Sequence, residues 1–231
     1  RHAPGRVLDV YLTEAALERH SEIWDEAVAA GLYVHVTTQQ VMDAMSPDAQ
    51  GLLAVVATEE ATGSEALAAA LEGARLVAVL TQAQDPGNAG TIIRAADAAG
   101  ADAVVLVRGS VDPTAPKVVR STAGSLFHLP VVTGVALDDA VTALHNAGLT
   151  VLAADGRGDF DLFEAESLLE APSAWLLGNE AHGLPSEALS RADAVVSIPI
   201  YGKAESLNVA AAAAVCLYAS ARAQAQNSGR S

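Results

Sequence analysis

The sequence predicts an α/β protein in two parts, a small leading unit and a larger one built on a mostly parallel sheet. Three observations carry this. Short apolar runs alternate with longer helix-like stretches, the pattern of buried strands covered by helices on both faces. The polar, turn-rich stretch Glu59–Ser64 interrupts that alternation, which restarts at Leu76. Late in the chain, Trp175–Leu177 and Val195–Ile200 each stop abruptly at small and polar residues, with a helix signal behind them. Such strand ends leave backbone groups free at the carboxyl edge of a sheet, where open α/β folds bind small ligands.

Taken in order, Val7–Leu12 reads as a strand, and Thr13 as the N-cap of one helix running to Ala30, with Gly31 as its stop. Tyr33–Thr37 is a second strand, Thr38–Met45 a short helix and Leu52–Thr58 a third strand. This unit, residues 1–60, is expected to lack a first strand and helix, because the chain opens so close to Val7. Residues 61–74 read as a linker. In the larger unit, residues 75–226, strands are expected at Leu76–Thr81, Val104–Val107, Leu129–Thr133 and Leu149–Ala153, besides the two late runs. Helices are expected at Ala89–Ala99, Pro116–Ser121, Leu137–Ala147 and Leu207–Ala223. The last is apolar almost all round, so it should be buried twice, against its own sheet and against a second subunit. Residues 227–231 read as a disordered tail.

Composition narrows the function. Hydrophobic content of 51% supports a packed core. The net charge of −15 argues against a generic nucleic-acid binder. Up to Leu76 the chain holds 12 Asp and Glu against 4 Lys and Arg, whereas Arg94, Arg108, Lys117 and Arg120 cluster in the middle. A polyanion would have to be met there. The single cysteine, Cys216, sits in an alanine run and reads as a small core residue; with no second cysteine, a reducing compartment is favoured. The longest apolar run, Val209–Ala219, is too short to span a bilayer. No His/Cys/Asp spacing suggests a metal, and Trp24 and Trp175 read as core.

Three segments carry the chemistry: Asn88-Ala-Gly90-Thr-Ile-Ile-Arg94-Ala-Ala-Asp97, then Leu177-Gly178-Asn179-Glu180-Ala-His-Gly183-Leu184, then Ile198-Pro199-Ile200 with Ser206-Leu207-Asn208 following. In this order and spacing they resemble motifs 1, 2 and 3 of the SpoU (TrmH) family of RNA ribose 2′-O-methyltransferases, within the SPOUT superfamily. Lys117–Pro130 resembles the family's stretch between motifs 1 and 2, and Val7–Val56 its L30e-like substrate-binding domain. The resemblance implies a SPOUT-type α/β domain with a deep trefoil knot, S-adenosylmethionine as methyl donor bound in the knot, a homodimer, and a cytoplasmic enzyme acting on structured RNA. Ribosomal RNA of the large subunit is favoured over tRNA, in either a housekeeping or an antibiotic-resistance role; no membrane or metal partner is implied.

By the same resemblance Arg94 stands at the catalytic position, with Asn88, Glu180, Ser206 and Asn208. Arg94 acts either as general base or as a cation facing the nascent alkoxide or a phosphate; guanidinium is normally protonated and accepts no hydrogen bond, so the second role is physically easier. Asn88 is expected to cap the helix carrying Arg94, and Ser206 to cap the last helix, with Asn208 in its first turn. Leu177, Ile198 and Ile200 would line an adenine pocket; Gly178 and Gly183 would allow close backbone approach to the cofactor. Ala153, Asn179, Ser206 and Leu207 complete the expected cofactor contacts. Arg94, Lys117 and Arg120 are the expected RNA contacts. Taken alone, Arg94 would be read as a surface arginine paired with Asp97, and Glu180 as a solvated loop carboxylate. A Rossmann nucleotide binder is disfavoured because G-x-G-x-x-G is missing after the larger unit's first strand. The rival functions are a tRNA ribose 2′-O-methyltransferase and a non-catalytic RNA-binding module.

Overall fold

The computed structural model describes residues 3–57, 61–179 and 183–227. The chain divides into two units between Glu59 and Glu60. In the first, β1 (Val7–Thr13) is followed by α1 (Glu14–Arg19), α2 (Ser21–Ala29), β2 (Tyr33–Thr37), α3 (Gln39–Met45) and β3 (Leu52–Val56). The strand order is β2-β1-β3, with β2 parallel and β3 antiparallel to β1. Thr13 does cap a helix, accepting from the Ala16 N–H, and Gly31 stops the segment at φ +71°. The single helix expected from Thr13 to Ala30 is two, because His20 leaves helical geometry at φ −137°. Val10, Leu12 and Ala27 form this unit's own core, with Trp24 packed against it.

The second unit begins with α4 (Gly63–Ala70), β4 (Leu76–Leu80), α5 (Pro86–Ala98), β5 (Ala103–Val107), α6 (Pro116–Ser121), β6 (Val131–Val135), α7 (Leu137–Asn146) and β7 (Thr150–Ala154). It continues with β8 (Phe160–Asp161), α8 (Glu166–Leu169), β9 (Ser173–Leu177), α9 (Ser186–Arg191), β10 (Ala194–Ser197) and α10 (Val209–Asn227). The linker expected over 61–74 is thus corrected. It holds α4, whose Leu67 buries itself in the second unit's core, while Ala61 accepts a hydrogen bond from the Thr133 N–H. Of the expected tail, Asn227 ends α10 and residues 228–231 lie outside the described residues.

The seven strands run in the order β6-β5-β4-β9-β7-β10-β8, and every pairing is parallel. Side chains alternate strictly between faces. Leu76, Ala78 and Leu80 of β4 join Trp175 and Leu177 of β9 on the side of α5 and α10. Val77 and Val79 join Ala174 and Leu176 on the side of α4, α7 and α9. Both faces are therefore apolar, which explains unbroken hydrophobic strands rather than alternating ones. Trp175 is fully buried and its indole N–H donates to Ser220 Oγ at 2.9 Å, tying β9 to α10. Cys216, on the buried face of α10, has its thiol pushed up to about 12 by burial. No helix among the described residues is long and apolar enough to cross a membrane.

Candidate active site

The strand order brings together the carboxyl ends of β9, β7 and β10, although they are far apart in sequence. Loops crowd onto that edge. The Asp155 N–H donates to the Val196 carbonyl and the Leu162 N–H to that of Ser197. Gly158 lies so close to β10 that a Cβ there would meet the Val195 carbonyl oxygen at 2.6 Å. Asn179 and Gly183 exchange backbone hydrogen bonds of 3.0 and 2.9 Å. A Cβ on Gly178 would meet the Leu184 nitrogen at 2.6 Å. The close approach expected between Gly178 and a cofactor is thus made by the chain itself. Gly183, at φ +67°, supplies the left-handed residue that closes this turn.

Asp85, not Asn88, caps α5: its Oδ1 accepts from the Asn88 N–H at 2.7 Å, with Pro86 at the first helical position. Asn88 instead accepts, through Oδ1, a hydrogen bond from Asn208 Nδ2 at 3.1 Å. Asn208 in turn caps α10, its Oδ1 taking the Ala210 and Ala211 N–H groups at 2.9 and 3.3 Å. The cap expected at Ser206 therefore falls two residues later, and Ser206 is left exposed in the preceding loop. One side-chain pair couples the starts of α5 and α10.

Arg94 is exposed on α5, nearly two helical turns beyond Asn88. Its expected pairing with Asp97 is not made; Asp97 Oδ2 lies 2.7 Å from His128 Nδ1. Lys117 and Arg120 are exposed on α6. That helix packs so tightly on α5 that a Cβ on Gly90 would stand 2.5 Å from Ser121 Cβ, which makes the two helices one face carrying three cations. Glu180 and His182 lie outside the described residues.

Several expected cofactor contacts are placed differently. Leu177 is buried in the core, and its carbonyl accepts from Thr81 N–H and Oγ1 at 2.9 and 3.0 Å. Ala153 is wholly buried on the α7 and α9 face, so its side chain touches core. Ile198 is half-buried, while Ile200 and Leu207 are 38% and 39% exposed beside this polar edge. Apolar side chains left open next to unpaired strand ends fit a flat aromatic heterocycle such as adenine. Asn179 Nδ2 donates to the Gln82 carbonyl at 3.0 Å, so it stitches two loops together. Gln82 holds φ +58°, an uncommon conformation for a non-glycine residue, in the loop leading to Asn88.

Sequence reasoning passed over Tyr201, 87% exposed between Ile200 and Ser206, though a lone aromatic in a polar loop is a visible signal. It read Asp155 only as part of a turn. The turn is there, with the Gly158 N–H on the Asp155 carbonyl. The Asp155 side chain is nevertheless largely covered, and Arg157 holds its carboxyl below the usual range by hydrogen bonding to it at 3.0 and 3.1 Å. Among the described residues no group of three His, Cys, Asp or Glu could hold a metal.

The sequence model of the SpoU rRNA methylase family matches residues 75–218, which includes all three segments. The chain belongs to this family. Among its SpoU relatives is the 23S rRNA (guanosine(2553)-2′-O)-methyltransferase RlmP of Bacillus subtilis, 42% identical over 151 residues, which are 64% of this chain but only 58% of that protein. The 23S rRNA (guanosine-2′-O-)-methyltransferase RlmB of Bordetella pertussis is 29% identical over 226 residues, 96% of this chain and 91% of RlmB. The SpoU methyltransferase AviRb of Streptomyces viridochromogenes, solved in complex with AdoMet, matches with a TM-score of 0.81 and 28% identity over 97% of this chain and 87% of AviRb.

Proposed function

We propose that this protein transfers the methyl group of S-adenosylmethionine to a ribose 2′-OH of 23S ribosomal RNA. The observation that carries the reading is the Asn88–Asn208 hydrogen bond, which joins the first and third motif segments across 120 residues beside the edge where β9, β7 and β10 end. RNA of the ribosome is favoured over tRNA because RlmB, named for 23S rRNA, aligns along both units rather than the second alone.

The residues present fit the cofactor. Ile198, Ile200 and Leu207 would cover its adenine, the backbone of the 178–183 turn would bound it, and the strand end beyond Ala153 would meet it through main chain, since the Ala153 side chain is in the core. When bound, S-adenosylmethionine supplies an electrophilic methyl carbon on a sulfonium. In the transfer the sulfur–carbon bond breaks as the oxygen–carbon bond forms, and the 2′-OH proton departs to solvent. Asn88 and Asn208 hold the two helix starts in a fixed relation, an orientation effect. Arg94 places a positive charge where the oxygen becomes negative or where the adjoining phosphate lies. Lys117 and Arg120 meet further phosphates from the same face. Glu180, in the turn between Asn179 and Gly183, would orient the ribose.

The reading also takes the edge crowded by the 155–162 and 178–184 segments to be a trefoil knot, α10 to pair with its counterpart in a homodimer, and the first unit to be an L30e-like RNA-binding domain. Tritiated methyl transfer to unmodified 23S rRNA and tRNA transcripts tests the function, with Arg94→Ala alongside. Label in alkali-resistant dinucleotides of 23S rRNA, reduced by at least about a hundredfold in the variant, is expected. Label confined to tRNA would replace the substrate, and residual activity within about tenfold would remove Arg94 from the chemistry.

A further inference from the structure

Asp97 follows Arg94 at the i+3 spacing, where helix neighbours have Cβ atoms about 5–6 Å apart and opposite charges pair. A carboxylate tethered there competes with every incoming phosphate, because it is always present at high effective concentration. In this protein the competitor is engaged elsewhere. His128, just past the helical turn Ser125–Phe127, sets its Nδ1 2.7 Å from Asp97 Oδ2, with the two side chains 31% and 28% exposed. Among the described residues Arg94 takes part in no hydrogen bond or ion pair. Gly90, one turn before Arg94, lets α6 sit directly on α5, and residues 122–128 then lead the chain to Asp97.

We propose that His128 is a positioning residue for Arg94. By holding the Asp97 carboxylate, it stops that group from neutralising the guanidinium and keeps the Arg94 charge available to RNA. The ring donates its Nδ1–H to the carboxylate in either charge state, so the restraint does not require a protonated imidazole. The inference rests on the reading of Arg94 as the cation of the site.

The test compares His128→Ala, His128→Asn, Asp97→Asn and the double variant Asp97→Asn/His128→Ala. His128→Ala is expected to lower kcat/KM for methyl transfer about tenfold, as Asp97 turns to Arg94. His128→Asn, which keeps an N–H donor near the Nδ1 position, should retain most activity. The double variant should recover to within about threefold of the wild type, because no carboxylate remains to capture Arg94. A merely structural histidine would give losses that add rather than cancel. In a crystal structure of His128→Ala, the Asp97 carboxylate should lie within about 4 Å of the guanidinium. An unaffected His128→Ala, a double variant no better than it, or an Arg94 still unpaired in that crystal would each overturn the proposal. The crystallographic comparison needs no turnover, so failure of the methyltransferase reading remains separate from failure of this one.

Discussion

Asn208 shows how one residue can serve fold and site together. Its oxygen caps α10 and its amide nitrogen reaches Asn88. The two functions can be separated. Asn208→Asp keeps the acceptor and adds charge favourable at a helix start, but loses the donor to Asn88. It should melt within about 2 °C of the wild type and lose activity by roughly tenfold or more. Asn208→Ala should lose comparable activity and also about 1 kcal/mol of stability. Calorimetric melting beside methyl-transfer kinetics checks both; equal melting losses in the two variants would deny the cap its weight. At this scale the sequence was partly misleading. Asp and Asn are equally good caps, so Asp85 and Asn88 compete on identity alone, and only Pro86 behind Asp85 breaks the tie. Nothing local distinguishes Ser206 from Asn208. The partner that decides it, Asn88, is on another helix.

Among the elements, α5 and α6 are the pair whose packing the site depends on. Gly90 is not a cofactor glycine but the point where α6 crosses, with the Val118 carbonyl 2.7 Å and Ser121 Cβ 2.5 Å from any added Cβ. Gly90→Ala should therefore force the helices apart at a cost of about 1–3 kcal/mol and weaken RNA binding, since Lys117 and Arg120 move with α6. Gly156→Ala, whose Cβ would meet nothing within 4 Å, is the control and should leave both unchanged. Denaturant unfolding and filter binding to 23S rRNA fragments measure the two effects; a Gly90→Ala protein as stable as the wild type would contradict the close contact. Long apolar strands and Gly-stopped helices were legible because their signals are local. The two-residue strand β8 and the four-residue helix α8 were not, since segments that short owe their form to β10 and α10 rather than to their own pattern. The stretch taken for a linker hid α4 for a related reason: its polar start reads as a boundary, and only the burial of Leu67 makes it part of the second unit.

At the scale of the molecule, each unit has its own core. A chain of residues 60–231 should accordingly fold and bind S-adenosylmethionine within about threefold of the full chain, but transfer methyl to 23S rRNA at least about tenfold less well. Calorimetric cofactor titration and transfer assays on the two chains decide this; loss of cofactor binding would mean that the first unit completes the site. Side-chain periodicity and short-range spacing were enough to assign most strands and helices, their order along the chain and the three motif segments. They carry no information on which strand ends meet. The order β4-β9-β7-β10 is not the order of the chain. It is selected by burying both faces of the sheet at once, a condition shared by residues far apart in the sequence. That same packing sets Asn208 against Asn88 and gives Asp97 to His128 instead of Arg94.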